Sequence, residues 1–242
     1  LFRQGLLVTV LLSAFTVAIG FVIALLLALM RLSNVRPFRF LGLDKDGHQK
    51  EEGVLAAISR FNPLSFLATA YVEILRSTPV IVQIFIIYYG VFSVIKLPSF
   101  QMFGFIKFDR FFPGVVALGM NSGAYLCEII RSGIMSVDQG QFEAGRSLGL
   151  TYVQTMWHII IPQAFKNVLP ALGNEFITLL KETSICGYIA LTDVTHGANT
   201  VRSQTYEPYM PLFAAALIYL VSVSVLSALI SRLERRMRVN ER

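Results

Sequence analysis

Residues 4–30 read QGLLVTVLLSAFTVAIGFVIALLLALM, a run with no charged side chain, closed at its two ends by Arg3 and Arg31. About 20 apolar residues in a helix are enough to cross the hydrocarbon layer of a bilayer, so this run reads as a membrane span. The composition of the whole chain agrees with that reading. Its 242 residues are 55% hydrophobic and 15% charged, whereas an ordinary soluble domain carries roughly 25% charged residues to cover its surface. Apolar content this high excludes a disordered chain. Two cysteines exclude a disulfide scaffold, and Cys127 and Cys186, both beside apolar segments, read as free thiols packed like small apolar groups. The expected fold class is an all-α integral membrane protein.

Working outward from this first span, about 5–30, four more are expected at about 77–96, 112–135, 165–189 and 208–230. Pro79 belongs to the first turn of the second, where a missing N–H costs no helical bond. The fourth is long enough to span despite Asn174, Glu175, Lys181 and Glu182, with Pro170 expected to kink it. The stretch between Arg146 and Lys166 holds Gln154, Trp157, His158, Pro162 and Gln163 and reads as an amphipathic or interfacial segment rather than a crossing. His158 reads as an interface-level packing partner of Trp157. Residues 63–76 are apolar on one face and suit a helix lying along the interface.

Five spans place the two chain ends on opposite sides. With the N-terminus outside, the inner side holds thirteen basic residues: Arg31, Arg36, Arg39, Lys45, Lys50 and Arg60, then Arg146 and Lys166, then five arginines of the tail RLERRMRVNER. The outer side holds five, namely Arg3, Lys96, Lys107, Arg110 and Arg202. Basic residues accumulate in inner loops, so the N-terminus is expected outside and the C-terminus inside. The net charge of +6 is then a topology signal. Nucleic-acid binding is not expected, because the cations do not cluster on a soluble face. The loop 31–62 is inner, and its DKDGHQKEEG stretch reads as exposed. The chain begins at Leu1, and no cleavable signal peptide is assigned.

The inner loop 136–162 carries the most specific pattern: Glu143-Ala144-Gly145, three residues, Gly149, nine residues, then Ile159-Ile160-Ile161-Pro162. The small residues let another protein approach the backbone, and Glu143, near a helix start, offers a carboxylate to a basic partner. The pattern resembles the EAA loop, EAA-x3-G-x9-I-x-L-P, of importer permeases of the ATP-binding cassette (ABC) superfamily, with Gly145 in place of the second Ala and Ile161 in place of Leu. Three stretches, YVEILRSTPVIVQIFIIYYG (71–90), GMNSGAYLCEIIRSGIMSVDQGQFEAGRSLG (119–149) and NEFITLLKETSI (174–185), are similar to permeases for polar amino acids. The resemblance covers roughly 5–31 and 63–235. The loop at about 40–60 is longer than the family suggests, and Asp138 stands where Pro is common.

The resemblance implies a single permease domain of the type I importer kind, in a bacterial inner membrane. It also implies a second permease subunit, identical or homologous, two cytoplasmic ATPases docked on the loop that holds Glu143, Ala144, Gly145, Gly149 and Pro162, and an extracytoplasmic binding protein. ATP and Mg would be bound by the ATPases. The chain itself has no GxxxxGK[ST] phosphate loop and no catalytic or metal-ligand spacing; His48, His158 and His196 are scattered. No cofactor and no covalent chemistry are expected of it. Polar residues inside spans by default mark a pathway or an ion pair. Asn121, Tyr125 and Glu128 share one helix face, and Asn174, Glu175 and Thr178 lie on or beside a stripe with Ala171 and Glu182. These six are candidates for the translocation path; the alternative pairs Glu128 with Arg131 and Lys181 with Glu182. The rival functions are import of another small nutrient and an ATPase-independent carrier or channel.

Overall fold

The computed structural model describes residues 1–33, 35, 37 and 59–239, with side chains as far as residue 236. The expectations for Arg36, Arg39, Lys45, His48, Lys50 and most of the 40–60 loop lie outside the described residues, as do the side chains of Arg238 and Arg242.

The apolar run that opens the chain forms α1 (Phe2–Leu32). After the first loop, α2 (Pro63–Ser77) starts at an Asn62 cap, whose side chain accepts from the Ser65 N–H, with Pro63 at the first helical position, where it displaces no hydrogen bond. Thr78 is extended, as the residue before a proline tends to be, and Pro79 caps α3 (Val80–Phe85). α3 continues through a π-helical segment, Ile86–Val91, and a last turn, Phe92–Val94. Pro79 therefore sits at a corner: the helices on either side of it meet at 108°. A hairpin of β1 (Gln101–Met102) and β2 (Ile106–Lys107) leads into α4 (Phe108–Met135). Then follow α5 (Gln139–Ser147), α6 (Tyr152–Thr155), a second π segment (Met156–Ile160) and α7 (Ile161–Glu182). A 3-10 segment (Thr183–Ile189), α8 (Val194–Thr205) and α9 (Met210–Val239) complete the chain.

Among the described residues two helices, α1 and the Met210–Arg236 part of α9, are long and apolar enough to cross a membrane alone, and the bent α2–α3 pair makes a third when counted as one span. α4, with 28 residues, and α7, with 22, have the length of a span but carry charged residues. Their burial explains how. α4 packs along α1, placing Leu118, Ser122 and Leu126 in the interior against the α1 stripe Val8, Leu12, Thr16, Gly20, Ala24 and Leu27. The approach is close: a Cβ on Gly123 would lie 2.7 Å from Ile23 Cγ2, as at small-residue helix crossings in membranes. The expected fourth span, 165–189, ends as a helix at Glu182 and finishes in the 3-10 turn. Pro170 lies inside α7 without ending it. Within the stretch between Arg146 and Lys166, expected as an amphipathic or interfacial segment, residues 152–160 run helically into α7.

The core falls into two main clusters along the α1–α4 seam. One contains Val8, Leu12, Ile84, Ile106, Phe111, Leu118 and Ile189, and the other Ala24, Leu27, Ala68, Val72, Leu126 and Cys127. Cys127 and Cys186 are buried free thiols. Where α8 starts, buried Asp193 accepts from the Thr195 and His196 N–H groups at 3.1 and 2.8 Å and from the Tyr219 hydroxyl at 3.1 Å. Burial pushes its carboxyl above the usual range, and these donors pull the other way. α9 is the outlier, with Phe213, Leu217, Leu220, Val221, Val225 and Leu229 all exposed.

Candidate docking loop and polar path

The loop after α4 is built as a stiff helix-turn-helix. Asp138 caps α5, its carboxylate accepting from the Gly140 N–H at 2.6 Å. At the other end the Leu150 N–H reaches the Gly145 carbonyl at 3.1 Å and the Gly149 N–H reaches that of Arg146 at 2.9 Å. This pair of bonds closes a helix in a Schellman motif, whose turn residue is left-handed. Gly149 occupies that position, at φ 79°. Two residues on, Thr151 and Gln154 form a reciprocal capping box that starts α6. Gly145 faces the returning helix; a Cβ there would stand 2.7 Å from Thr155 Cγ2. The rings of Phe142 and Tyr152 stack at 6.0 Å across the same gap. A small apolar core of Val137, Met156, Ile160 and Ala164 anchors the hairpin to the start of α7.

The pattern EAG-x3-G is thereby explained residue by residue. Gly145 lets the two helices touch, Gly149 turns the chain, and Glu143 and Ala144 are left exposed on the outer side of α5. Leu148 next to them is 79% exposed. Pro162 enters at the N-terminus of α7, beyond the π segment. The His158 Nδ1 lies 3.0 Å from the Gln154 carbonyl, and Trp157 beside it is exposed.

The six expected path residues divide into three settings. Asn121 is buried and donates to the Gln83 side chain at 3.0 Å and the Leu75 carbonyl at 3.2 Å. Gln83 in turn donates to the carbonyls of Leu75 and Thr78 and to the Thr78 hydroxyl. These bonds satisfy the backbone freed at the Pro79 corner, so Asn121 holds the bend. Tyr125 and Glu128 border a cavity of about 740 Å³ that Arg76, Lys166, Asn167 and Glu234 also line. The Arg76 guanidinium lies 5.3 Å from the centre of the Tyr125 ring, a cation–π distance. Glu128 is clamped by Arg131 at 2.9 Å and by Arg31 of α1. Asn174, Glu175 and Thr178 lie further along α7, outside that cavity's lining. Asn174 is exposed, Glu175 has the Ser122 hydroxyl at 3.5 Å, and Thr178 donates back to the Asn174 carbonyl. The Glu128–Arg131 pair was an expected alternative. Arg31 was missed as its second partner, although a lone charge at the end of an apolar run is a signal for one. Among the described residues no His/Cys/Asp/Glu group of three or more has metal-binding geometry.

The comparisons with known proteins point the same way. A family model described as a binding-protein-dependent transport system inner membrane component matches residues 53–239. The arginine transport system permease protein ArtQ of Bacillus subtilis (strain 168) is 42% identical over 187 residues, 77% of this chain and 81% of that one. The L-cystine transport system permease protein TcyB of the same strain is 36% identical over 184 residues, 76% and 74% of the two chains. Among solved structures, a chain of an amino acid ABC transporter crystallised with histidines matches with a TM-score of 0.79 and 38% identity, over 97% of this chain and 92% of that one. The inward-facing MetNI methionine ABC transporter shares the fold, with a TM-score of 0.67 at 17% identity over 98% and 95% of the chains. A helical bundle of this kind, with a rigid exposed EAA-type loop, is an ABC importer permease. The chain belongs to the family of binding-protein-dependent transport system inner membrane components.

Proposed function

We propose that this chain crosses a bacterial inner membrane five times, N-terminus outside and C-terminus inside, as a single permease domain. It pairs with a second permease subunit and conducts a polar amino acid delivered by an extracytoplasmic binding protein. Two ATPase subunits, which bind ATP and Mg, dock on the loop of Glu143, Ala144, Gly145, Gly149 and Pro162. The observation that carries this reading is the loop itself. It is capped at both ends and stacked on itself, yet presents Glu143, Ala144 and Leu148 to solvent. A rigid knob of this kind moves as a unit when a partner pushes it. The amino-acid cargo is supported by the names of the relatives ArtQ and TcyB and of the histidine-bound transporter.

The path runs past Tyr125 and Glu128 at one level and Asn174, Glu175 and Thr178 at the other, with Asn121 holding α4 to the bend from behind. The chain performs no covalent step. Proteoliposomes holding the permease, the ATPase and the binding protein test this. Uptake of a labelled polar amino acid should require ATP and fall at least tenfold in Glu143→Arg, with the permease still folded. Uptake without the ATPase, or undiminished in that variant, refutes the mechanism.

A further inference from the structure

Two polar cavities meet at Arg76 and Glu128, which line both. The first, of about 740 Å³, has Tyr125 and Asn167 in its wall; the second, of about 520 Å³, has Thr69, Glu73, Arg31 and Arg131. The two shared charges are placed differently. Glu128 is spent within the protein, since Arg31 Nη1, Arg131 Nε and Arg131 Nη2 all donate to its carboxylate. The Arg76 guanidinium lies over the Tyr125 ring at 5.3 Å, a contact that leaves its five N–H donors unspent. Among the described residues no carboxylate forms an ion pair with it, not even Glu73, three residues back on α2.

A structural role does not account for Arg76. It stands in the last turn of α2, where a cation suits the helix dipole, but the carbonyls that end this helix already have donors. The Thr78 hydroxyl serves Ile74, Gln83 and Asn121 serve Leu75, and Gln83 serves Thr78. Its depth excludes the membrane surface. The neighbouring Leu75 carbonyl meets Asn121, which is thirteen residues after the start of α4 at Phe108 and fourteen before its end at Met135. Arg76 is also near the middle of the bent α2–α3 span, 63–94. A guanidinium at that level is costly and by default marks a site for a charged partner. Free donors in a planar fork suit an oxyanion.

The proposed cargo supplies one, because an amino acid carries an α-carboxylate whatever its side chain. We propose that Arg76 takes the α-carboxylate of the amino acid in the path, with the Tyr125 ring positioning the guanidinium. The fork grips both carboxylate oxygens at once, and a contact through the ring face leaves the N–H edge open to do so. Glu128 cannot compete for Arg76, being held by Arg31 and Arg131. Arg76 is exposed to the cavities, so water weakens the new pair and the cargo can leave, as transport requires. The inference rests on the function proposed above and deepens it by naming the group through which this chain holds its cargo.

The test measures direct binding to the permease–ATPase complex in nanodiscs, without nucleotide or binding protein. The probes are labelled L-glutamine, L-arginine and L-histidine, each displaced by itself or by its α-amide, which keeps the ammonium and side chain and removes the carboxylate charge. For any probe that binds, the acid should displace about tenfold better than the amide, as loss of a charge-assisted pair implies. Arg76→Gln should bring that ratio close to one by weakening the acid alone, with the melting temperature held. Arg76→Lys, which keeps the charge and loses the fork, should give an intermediate ratio. Tyr125→Phe should retain more of the preference than Tyr125→Leu. Equal affinity for acid and amide in the wild type, an unchanged ratio in Arg76→Gln, or no binding of any probe overturns this inference; ATP-driven uptake in the same preparation leaves the proposed function standing. A wild-type complex that takes up no polar amino acid with its binding protein and ATP overturns both.

Discussion

Glu128 bridges two guanidinium groups on two helices, and its removal has a calculable consequence. The side chain of Glu128 is 18% exposed, that of Arg31 13% and that of Arg131 46%. The Arg131 pair lies one turn along the same helix and is open to water, so it contributes only about 0.5 kcal/mol. The Arg31 pair is enclosed and joins the end of α1 to α4. Glu128→Ala would leave the Arg31 guanidinium in a nearly closed site, which costs about 3 kcal/mol, the lower end for a broken buried pair because some water still reaches it. For a chain of this size that corresponds to a fall in melting temperature of about 6–12 °C. Arg31→Ala should cost less, about 1–2 kcal/mol, since Glu128 keeps Arg131 and some solvent. The decisive measurement is the double variant, melted in detergent at low salt and a fixed scan rate. With both partners gone no charge is stranded, so the loss should fall short of the sum of the single losses by about 2 kcal/mol. Additivity within about 0.5 kcal/mol would refute the claim that these two side chains hold the helices together.

Two further predictions concern the docking loop and the start of α8. Gly149→Val places a β-branched residue at φ 79°, which costs about 2 kcal/mol or more in that turn; protease cleavage or hydrogen exchange in 145–152 should accelerate while the global melt stays within a few degrees. The Asp193 carboxyl is held above its ordinary value by burial, so the folded protein binds that proton more tightly than the unfolded chain. Its stabilising share is therefore complete below the ordinary Asp value of about 4 and is lost as the pH rises through the raised value. Across that window Asp193→Asn should show a flatter melting-temperature profile than wild type; parallel profiles would remove Asp193 as the source.

The sequence was most informative where a pattern is local. The uncharged run 4–30 and the block ending at Ile230 become α1 and α9, because hydropathy over one helix needs no knowledge of neighbours. The EAG-x3-G spacing predicts a glycine turn between short helices, since a Schellman turn and a capping box are set by residues three to five apart. The Glu128–Arg131 pair was legible for the same reason. Arg31 was not, being 97 residues from Glu128, and only the α1–α4 crossing brings them together. The 108° corner was also hidden. Pro79 announces a helix start, but whether the preceding helix runs straight into it depends on Gln83, from the helix Pro79 starts, and on Asn121 of α4 filling the gap. α4 shows why polar path residues are hard to rank: bonds to Gln83 and Leu75 make Asn121 a brace at the Pro79 corner, while Tyr125, four residues on, borders open space.

The π segment at Met156–Ile160 has a mechanical consequence. From Tyr152 to Glu182 the backbone is helical without a loop, a rod of about 45 Å at 1.5 Å per residue. Met156, Ile160, Ala164 and Val168 all point inward, a spacing of four that a plain helix of 3.6 residues per turn would let drift around its axis. The wider turn takes back the drift of the first step, Met156 to Ile160, and so narrows the arc over which the four side chains are spread. Deleting a single residue there would turn everything downstream by about 100°, swinging Val168 out of the interior and Glu175 to a new bearing. The segment acts as a phase setter: it fixes which way α7 faces relative to the hairpin at its foot.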